Sequence, residues 1–348
     1  MYILYFNVKI NGKEITCALY RKKNKIMKLN SKSLIILFLT GFIALSGIKS
    51  IGQTPSEKYA ELQNSYKKGW NTWNYRSALS HTLMPEGFTL NLGFKDYLNK
   101  DILKEELIGY GMADVKLGAH AWDGSYTTVL LKWKDLKFQV ESAHVDDDVV
   151  FLVQPIQVDR LKKPLLLIEA GVSWNRDGYV KREKNKLVGY FDNSTVPVFT
   201  TGSITDEKYT GGTLSPYLAV SVNGEIGVST GVDRNLETIR EIVKKQKEKW
   251  QNEKNNFGEN SEVFNAMQTV LAWNTVYDPQ NDRVISPVSR KWSIWNRGYV
   301  LYLWDTYFAA YQAAALGQKE MAYANAVEMT RAKGELPFVP NVEQANGF

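Results

Sequence analysis

In the stretch YTTVLLKWKDLKFQVES, residues 126–142, Thr127, Val129, Leu131 and Trp133 alternate with Thr128, Leu130, Lys132 and Lys134. Phe138 and Val140 then alternate with Lys137, Gln139 and Glu141. A period of two puts each set on one face of a strand, and the break near Asp135 predicts a hairpin turn. Short apolar runs of the same kind continue to about Val232: VVFLV, PLLLIEAGVSW, KLVGYF, VPVFTT, YLAVSV and IGVSTGV. Turn-forming clusters such as DDD, NRDG, FDNS, TGG and VNGE separate them. Many short strands at this spacing predict an antiparallel β-sandwich, here over residues 53–234.

The period changes at Asn235. Leu236, Ile239, Ile242 and Val243 recur at helical spacing, and the rest of LETIREIVKKQKEKWQNEKNN is charged. This predicts a linker helix over 235–258 with its lysines on a solvated face. From residue 259 to 348 the pattern stays helical. Ser261 is placed to cap a helix carrying Val263, Met267, Val270 and Leu271, and two further helices are expected near 305–316 and 318–332. In the first of these two, Tyr307, Phe308, Tyr311, Ala314 and Ala315 form a stripe, the usual mark of a packed face.

The chain carries a formal charge of +6, but the excess is local. Residues 1–52 hold nine Lys/Arg and one acidic residue, so 34 of the 43 basic and 36 of the 37 acidic residues follow Gly52. A chain slightly acidic beyond its N-terminus gives no electrostatic footprint for nucleic acid. Arg21, Lys22, Lys23, Lys25, Lys28 and Lys32 precede an apolar run from Leu34 to Leu45, the layout of a signal peptide with cleavage after Ser50-Ile51-Gly52. Met27 starts such a peptide on its own, so residues 1–26 read as an over-extended start. The expected location is therefore secreted or periplasmic, with no membrane association after cleavage. Cys17 is the only cysteine and precedes that cleavage, so the mature chain is expected to have neither disulfides nor thiolate chemistry.

Four of the ten tryptophans, Trp273, Trp292, Trp295 and Trp304, fall within 32 residues, with Arg290, Arg297, Tyr299 and Asp305 among them. Aromatic faces suit the C–H face of a sugar, and carboxylates and guanidinium groups hydrogen-bond its hydroxyls. The competing reading is an aromatic core. Asp305 also has two readings, helix N-cap and hydroxyl acceptor, and the two are compatible. His81, His120 and His144 have no ligand spacing, Asp146–Asp148 reads as a turn rather than a calcium loop, and GGT at 211–213 lacks a phosphate-binding lysine. No cofactor is indicated. A structural metal is left open on Asp278, Asn281 and Asp282.

LAWNTVYDPQNDRVISPVSRKW (271–292) followed by GYVLYLWDTYFAAYQAAALGQKEMAYANAVEMTR (298–331) resembles glycoside hydrolase family 63, the mannosylglycerate-hydrolase-like and processing-glucosidase-like enzymes. WNYRSALSHTLMPEGF and LGAHAWDGSYTTVLLKW are similar to the N-terminal β domain of bacterial members. Related α-toroid families such as trehalases share the Trp-Asp aromatic motif. The resemblance implies a β-sandwich followed by the first helices of an incomplete (α/α)6 toroid, and an inverting exo-acting hydrolase with a carbohydrate substrate. It makes Trp304 and Asp305 part of a clamp on the non-reducing sugar, with Arg290, Trp295 and Tyr307 as further substrate-binding candidates. It places the general acid and base beyond Phe348, so no residue here is expected to be catalytic. A non-enzymatic carbohydrate-binding protein is the main alternative, with a trehalase-like hydrolase, or a toroid lyase or phosphorylase, behind it.

Overall fold

The computed structural model describes residues 4–10, 13–19, 57–72, 77–96, 100–104, 113–158, 163–205, 215–279, 281–287, 300–331 and 342–344. Contacts divide the chain into two units, Met1–Thr54 and Pro55–Phe348. In the first, β1 (Leu4–Ile10) and β2 (Lys13–Leu19) form an antiparallel hairpin in which Cys17 lies opposite Phe6. The segment read as a signal peptide lies outside the described residues. Among the described residues no helix is long and apolar enough to cross a membrane.

In the second unit, two antiparallel sheets face each other. The strands are β3 (Trp70–Asn71), β4 (Ser80–Leu83), β5 (Phe88–Asp96), β6 (Asp101–Leu103), β7 (Asp114–His120), β8 (Tyr126–Trp133), β9 (Leu136–Val145) and β10 (Asp148–Gln157). They continue with β11 (Leu165–Val172), β12 (Tyr179–Glu183), β13 (Lys186–Phe191), β14 (Ser194–Thr200), β15 (Ile204–Thr205), β16 (Tyr217–Ser221) and β17 (Ile226–Thr230). Eight of them pair in the order β12-β13-β14-β17-β10-β9-β8-β7, and seven in the order β15-β16-β11-β5-β4-β3 with β6 on β5.

The hairpins are tight. Trp133 pairs with Leu136, Val145 with Asp148, and Glu183 with Lys186, so each loop has two residues. Such loops need a left-handed first residue to match strand twist, and Lys134, Asp146 and Lys184 adopt φ of 53°, 50° and 51°. The expected turns at Asp135 and at Asp146–Asp148 are thus found.

Alternation fills the space between the sheets. Phe88, Leu90, Leu92 and Phe94 of β5 point inward and meet Val129, Leu131 and Trp133 of β8 and Phe138 and Val140 of β9. Phe94 and Phe138 stack across the two sheets at 4.0 Å between centroids and 15° between planes. The outer face of the eight-stranded sheet is covered by α1 (Leu236–Asn255), numbered here from the first helix after the sandwich strands. Asn235 starts that helix by accepting a 2.9 Å hydrogen bond from the Thr238 amide. Ile239 and Val243, flanked by Leu236 and Ile242, pack on Tyr126, Ala143, Val150 and Leu152. The apolar stripe seen in the sequence is therefore a docking face, and the helix lies on the sheet. Lysines of this helix also reach the sandwich: Lys247 lies 3.3 Å from buried Glu141, and Lys249 lies 3.0 Å from Asp123.

Beyond it come α2 (Ser261–Asn274), α3 (Leu303–Ala315) and α4 (Lys319–Arg331), with the small hairpin β18 (Val276–Asp278) and β19 (Arg283–Ile285) between α2 and α3. Ser261 is the first residue of α2, not its cap. A 3-10 turn, Gly258–Asn260, runs straight into the helix, leaving Asn260 as N-cap with no side-chain bond. A further helix at 57–67 packs on α4, where the Tyr59 hydroxyl donates to buried Glu328 at 2.7 Å. The α3–α4 turn closes on Gly317, whose φ of 77° suits glycine, with the Gln318 amide bonded to the Ala313 carbonyl at 2.9 Å. Met84, Leu271, Tyr277, Val284, Ala309, Ala313, Leu316 and Met321 form this second core.

Candidate functional site

The N-terminal part of α3 carries three of the five residues singled out from the sequence, Trp304 and Asp305 in its first turn and Tyr307 just after it. It is positioned by β20 (Val300–Tyr302), which pairs antiparallel with β21 (Val342–Gln344). That pairing holds Tyr302 extended, at φ −103° and ψ 132°, and the helix begins immediately at Leu303. Asp305 is therefore the third helical residue, and the expectation that it is the N-cap is corrected. Tyr302 is the cap and makes no side-chain capping bond. The carboxylate of Asp305 instead sits within the first turn, in the positive end of the helix dipole. It is half-buried.

The faces of α3 are divided sharply. Thr306, Ala309, Ala310 and Ala313 are buried, and small side chains allow close approach to neighbouring elements. Trp304, Phe308 and Tyr311 are 62%, 64% and 76% exposed. Spacings of four and three residues set these rings on one side of the helix. The stripe that its spacing marks as a packed face thus looks outward for Phe308 and Tyr311, and Trp304 extends it to the helix start. Tyr307 lies off this row, half-buried, with its hydroxyl 2.8 Å from the Thr330 hydroxyl of α4. Its role in this structure is to tie α3 to α4. Arg290 and Trp295 lie outside the described residues. Trp273 is a core residue: its indole N–H donates to the Gly118 carbonyl at 2.8 Å, and its ring meets His120 edge-on at 4.7 Å.

The result is an exposed aromatic row, with the Asp305 carboxylate one residue past Trp304 in the first turn and about 100° round the helix from it. Flat ring faces can stack on a sugar, and a carboxylate within the same turn can accept its hydroxyl protons.

Of the other polar residues considered from the sequence, His120, His81, Asp278, Asn281 and Asp282 have structural partners. His120 bonds Thr72 at 2.7 Å and the Ala121 carbonyl at 2.6 Å, which fixes the proton on Nδ1. His81 bonds Ser142 at 3.0 Å. Asp278 is fully buried and is held by Arg283 at 3.0 Å and the Asn281 amide at 2.7 Å, while Asp282 takes Lys67 at 2.7 Å. A carboxylate neutralised by a guanidinium has little left for a cation. Among the described residues no group of three His, Cys, Asp or Glu side chains could hold a metal ion. A crevice of about 420 Å³ between the helix at 57–67, the Trp122-Asp123 turn and the start of α4 was not foreseen, because its walls come from three distant segments.

His144 gives a pH-dependence. Its ring is half-buried, but Nε2 is sealed from solvent with no hydrogen-bond partner. Burial lowers its pKa from 6.5 to about 4; Asp123 opposes the shift and Lys249 adds to it. The folded state thus keeps His144 neutral where the unfolded chain binds a proton. Stability is complete above about pH 6.5 and falls as pH drops toward 4, with a slope of at most about 1.4 kcal/mol per pH unit from this group. Urea melts across that range should show this slope, and His144→Gln should flatten it; equal slopes for both proteins would contradict the assignment.

No protein-family model matches the chain, and no curated protein sequence matches it.

Proposed function

We propose that this chain is the N-terminal portion of an exported inverting glycoside hydrolase of the glucosidase or mannosylglycerate-hydrolase type, and that Trp304 and Asp305 form the sugar-holding edge of its site. The observation that carries this reading is the outward row of Trp304, Phe308 and Tyr311, with Asp305 following Trp304 in the first turn of the same helix. A helix that buries alanines and exposes three aromatic rings is built to meet something on the aromatic side, since large apolar groups clustered on a surface mark binding faces. The order of the elements also supports it: a sandwich, a docked helix, then paired helices, as expected for the start of an (α/α)6 toroid.

Inversion needs one carboxylic acid to protonate the leaving oxygen and one carboxylate to activate water on the opposite face. In this reading Asp305 is neither. It orients the non-reducing sugar by accepting hydroxyl protons while Trp304 stacks on the ring, and the two catalytic carboxylates belong to no residue of this chain. The chain as given is then expected to bind sugar without hydrolysing aryl α-glucosides or mannosylglycerate.

The test is titration with methyl α-D-glucopyranoside and with mannosylglycerate. Trp304→Ala and Asp305→Asn should each weaken binding at least about tenfold, the loss of one stacking face or one charged acceptor. Melting should shift by no more than about 0.5 kcal/mol for the exposed Trp304 and about 1 kcal/mol for Asp305 in its helix dipole. Binding unchanged by both variants would remove the helix face as the site. Turnover by this chain, abolished by Asp305→Asn, would overturn the placement of the catalytic carboxylates elsewhere.

A further inference from the structure

The outer face of the seven-stranded sheet holds a groove that the helix-face reading does not use. Strand register builds it. Ser80 of β4 lies opposite Asn91 of β5, and Asn91 lies opposite Glu169 of β11. In the next row Thr82 lies opposite Thr89, and Thr89 opposite Gly171. Side chains alternate along a strand, so while Leu90, Leu92 and Ile168 fill the core, this polar set faces outward together. Short hydroxyl side chains and a glycine leave a recess of about 210 Å³, with Lys104 and Ser215 on its walls.

Its chemistry is specific. Ser80 is almost wholly buried. Asn91 donates from Nδ2 to the Lys104 carbonyl at 3.1 Å, but its Oδ1 is sealed from bulk solvent and accepts no hydrogen bond. That oxygen is closed to a guest as well as to water, and the recess offers its hydroxyl and charged side chains instead, Thr89, Ser173, Lys104 and Glu169 among them, which suit a guest that brings O–H or N–H groups. Thr89 and the Ser173 hydroxyl are 2.7 Å apart, giving a further donor–acceptor pair. Lys104 and Glu169 face each other at 3.9 Å, so their charges offset and the groove selects no ion. The volume falls below the roughly 300–1,000 Å³ of sites for drug-sized ligands, which suits a guest of one small ring.

We infer that this groove binds a small neutral polyhydroxylated ligand, a single saccharide unit or polyol, through hydroxyl contacts to Glu169 and Lys104. The assignment rests on the groove alone and is independent of the α3 face. The probes are methyl α-D-glucopyranoside, methyl α-D-mannopyranoside and myo-inositol, titrated calorimetrically into the full chain carrying Trp304→Ala, so that the helix face does not contribute. At least one probe should bind saturably with millimolar affinity. Adding Glu169→Gln, which keeps the shape and removes the charge, should weaken that binding at least about tenfold. Gly171→Val, whose Cβ meets only the Ser215 hydroxyl at 3.2 Å, should block it by filling the floor. Unchanged circular dichroism and melting show that each variant is folded, and should Gly171→Val not fold, Glu169→Gln decides. Absence of binding in the Trp304→Ala background, or binding that survives Glu169→Gln at wild-type strength, overturns the groove and leaves the α3 reading standing.

Discussion

Asp278→Ala is expected to cost about 3–5 kcal/mol of folding stability, measured by chemical denaturation. The side chain has no solvent exposure, and Arg283, which donates to it at 3.0 Å, is 4% exposed. The two residues face each other across the β18–β19 hairpin, where Asp278 pairs with Arg283. Asn281 adds a 2.7 Å bond to the same carboxylate oxygen and a backbone bond at 3.3 Å to the other. Removing the acid takes a carboxylate away from a buried guanidinium, and the penalty of holding that charge out of water with one partner fewer, not the strength of the pair, sets the size of the loss. Two variants separate these. The double variant Asp278→Leu/Arg283→Met removes both charges and should recover much of the loss. Asp282→Ala removes a carboxylate whose side chain is 54% exposed, and its pair with Lys67 should contribute no more than about 1 kcal/mol. A cost below about 1 kcal/mol for Asp278→Ala would mean that the arginine finds water, and that the hairpin is not sealed against the helices.

The sandwich was legible because its signal is local. Alternation over 126–141 and the turn residues between runs specify strands and hairpins without knowledge of distant partners, and β8, β9 and their two-residue turn follow that pattern. The change of period at Asn235 was legible for the same reason, whereas its side-chain cap on the Thr238 amide emerges only from the structure. The helices were found, but not their orientation. Helical periodicity identifies a stripe and does not say which side meets the protein. In α3 the four small residues Thr306, Ala309, Ala310 and Ala313 won the buried side, because they allow closer approach than the rings at 304, 308 and 311. Val263 and Val270 of α2, apolar residues at helical spacing, are likewise exposed.

Asp305 shows how a distant segment overrides a local rule. Asp before an apolar helical run is a favoured cap, yet pairing of 300–302 with 342–344 keeps Tyr302 extended and starts the helix two residues ahead of the acid. The Trp273–Trp304 cluster also resolves only in three dimensions, since Trp273 is used in the core against His120 and Trp304 faces solvent. The sheet groove was invisible in the sequence for a related reason. Ser80, Asn91 and Glu169 are each unremarkable polar residues in a strand, and only register sets them side by side.

Phe138→Ala is the second large effect, expected at about 3–5 kcal/mol. Phe138 belongs to the eight-stranded sheet and Phe94 to the seven-stranded one, both without solvent exposure. Their parallel stack at 4.0 Å is a direct tie between the two layers, so truncation loses the transfer energy of the ring, the aromatic pairing and the fit of the facing ring at once. The sheets are held by hydrogen-bonded ladders and cannot close the gap by moving one against the other, so a cavity remains. Phe138→Leu retains much of the volume and should cost less than about half as much. Tyr311→Ala removes an equally large ring from the exposed row of α3 and should change stability by no more than about 0.5 kcal/mol. If the two alanine variants proved equally destabilising, Tyr311 would have to be buried in solution, and the aromatic row would be core rather than an exposed face.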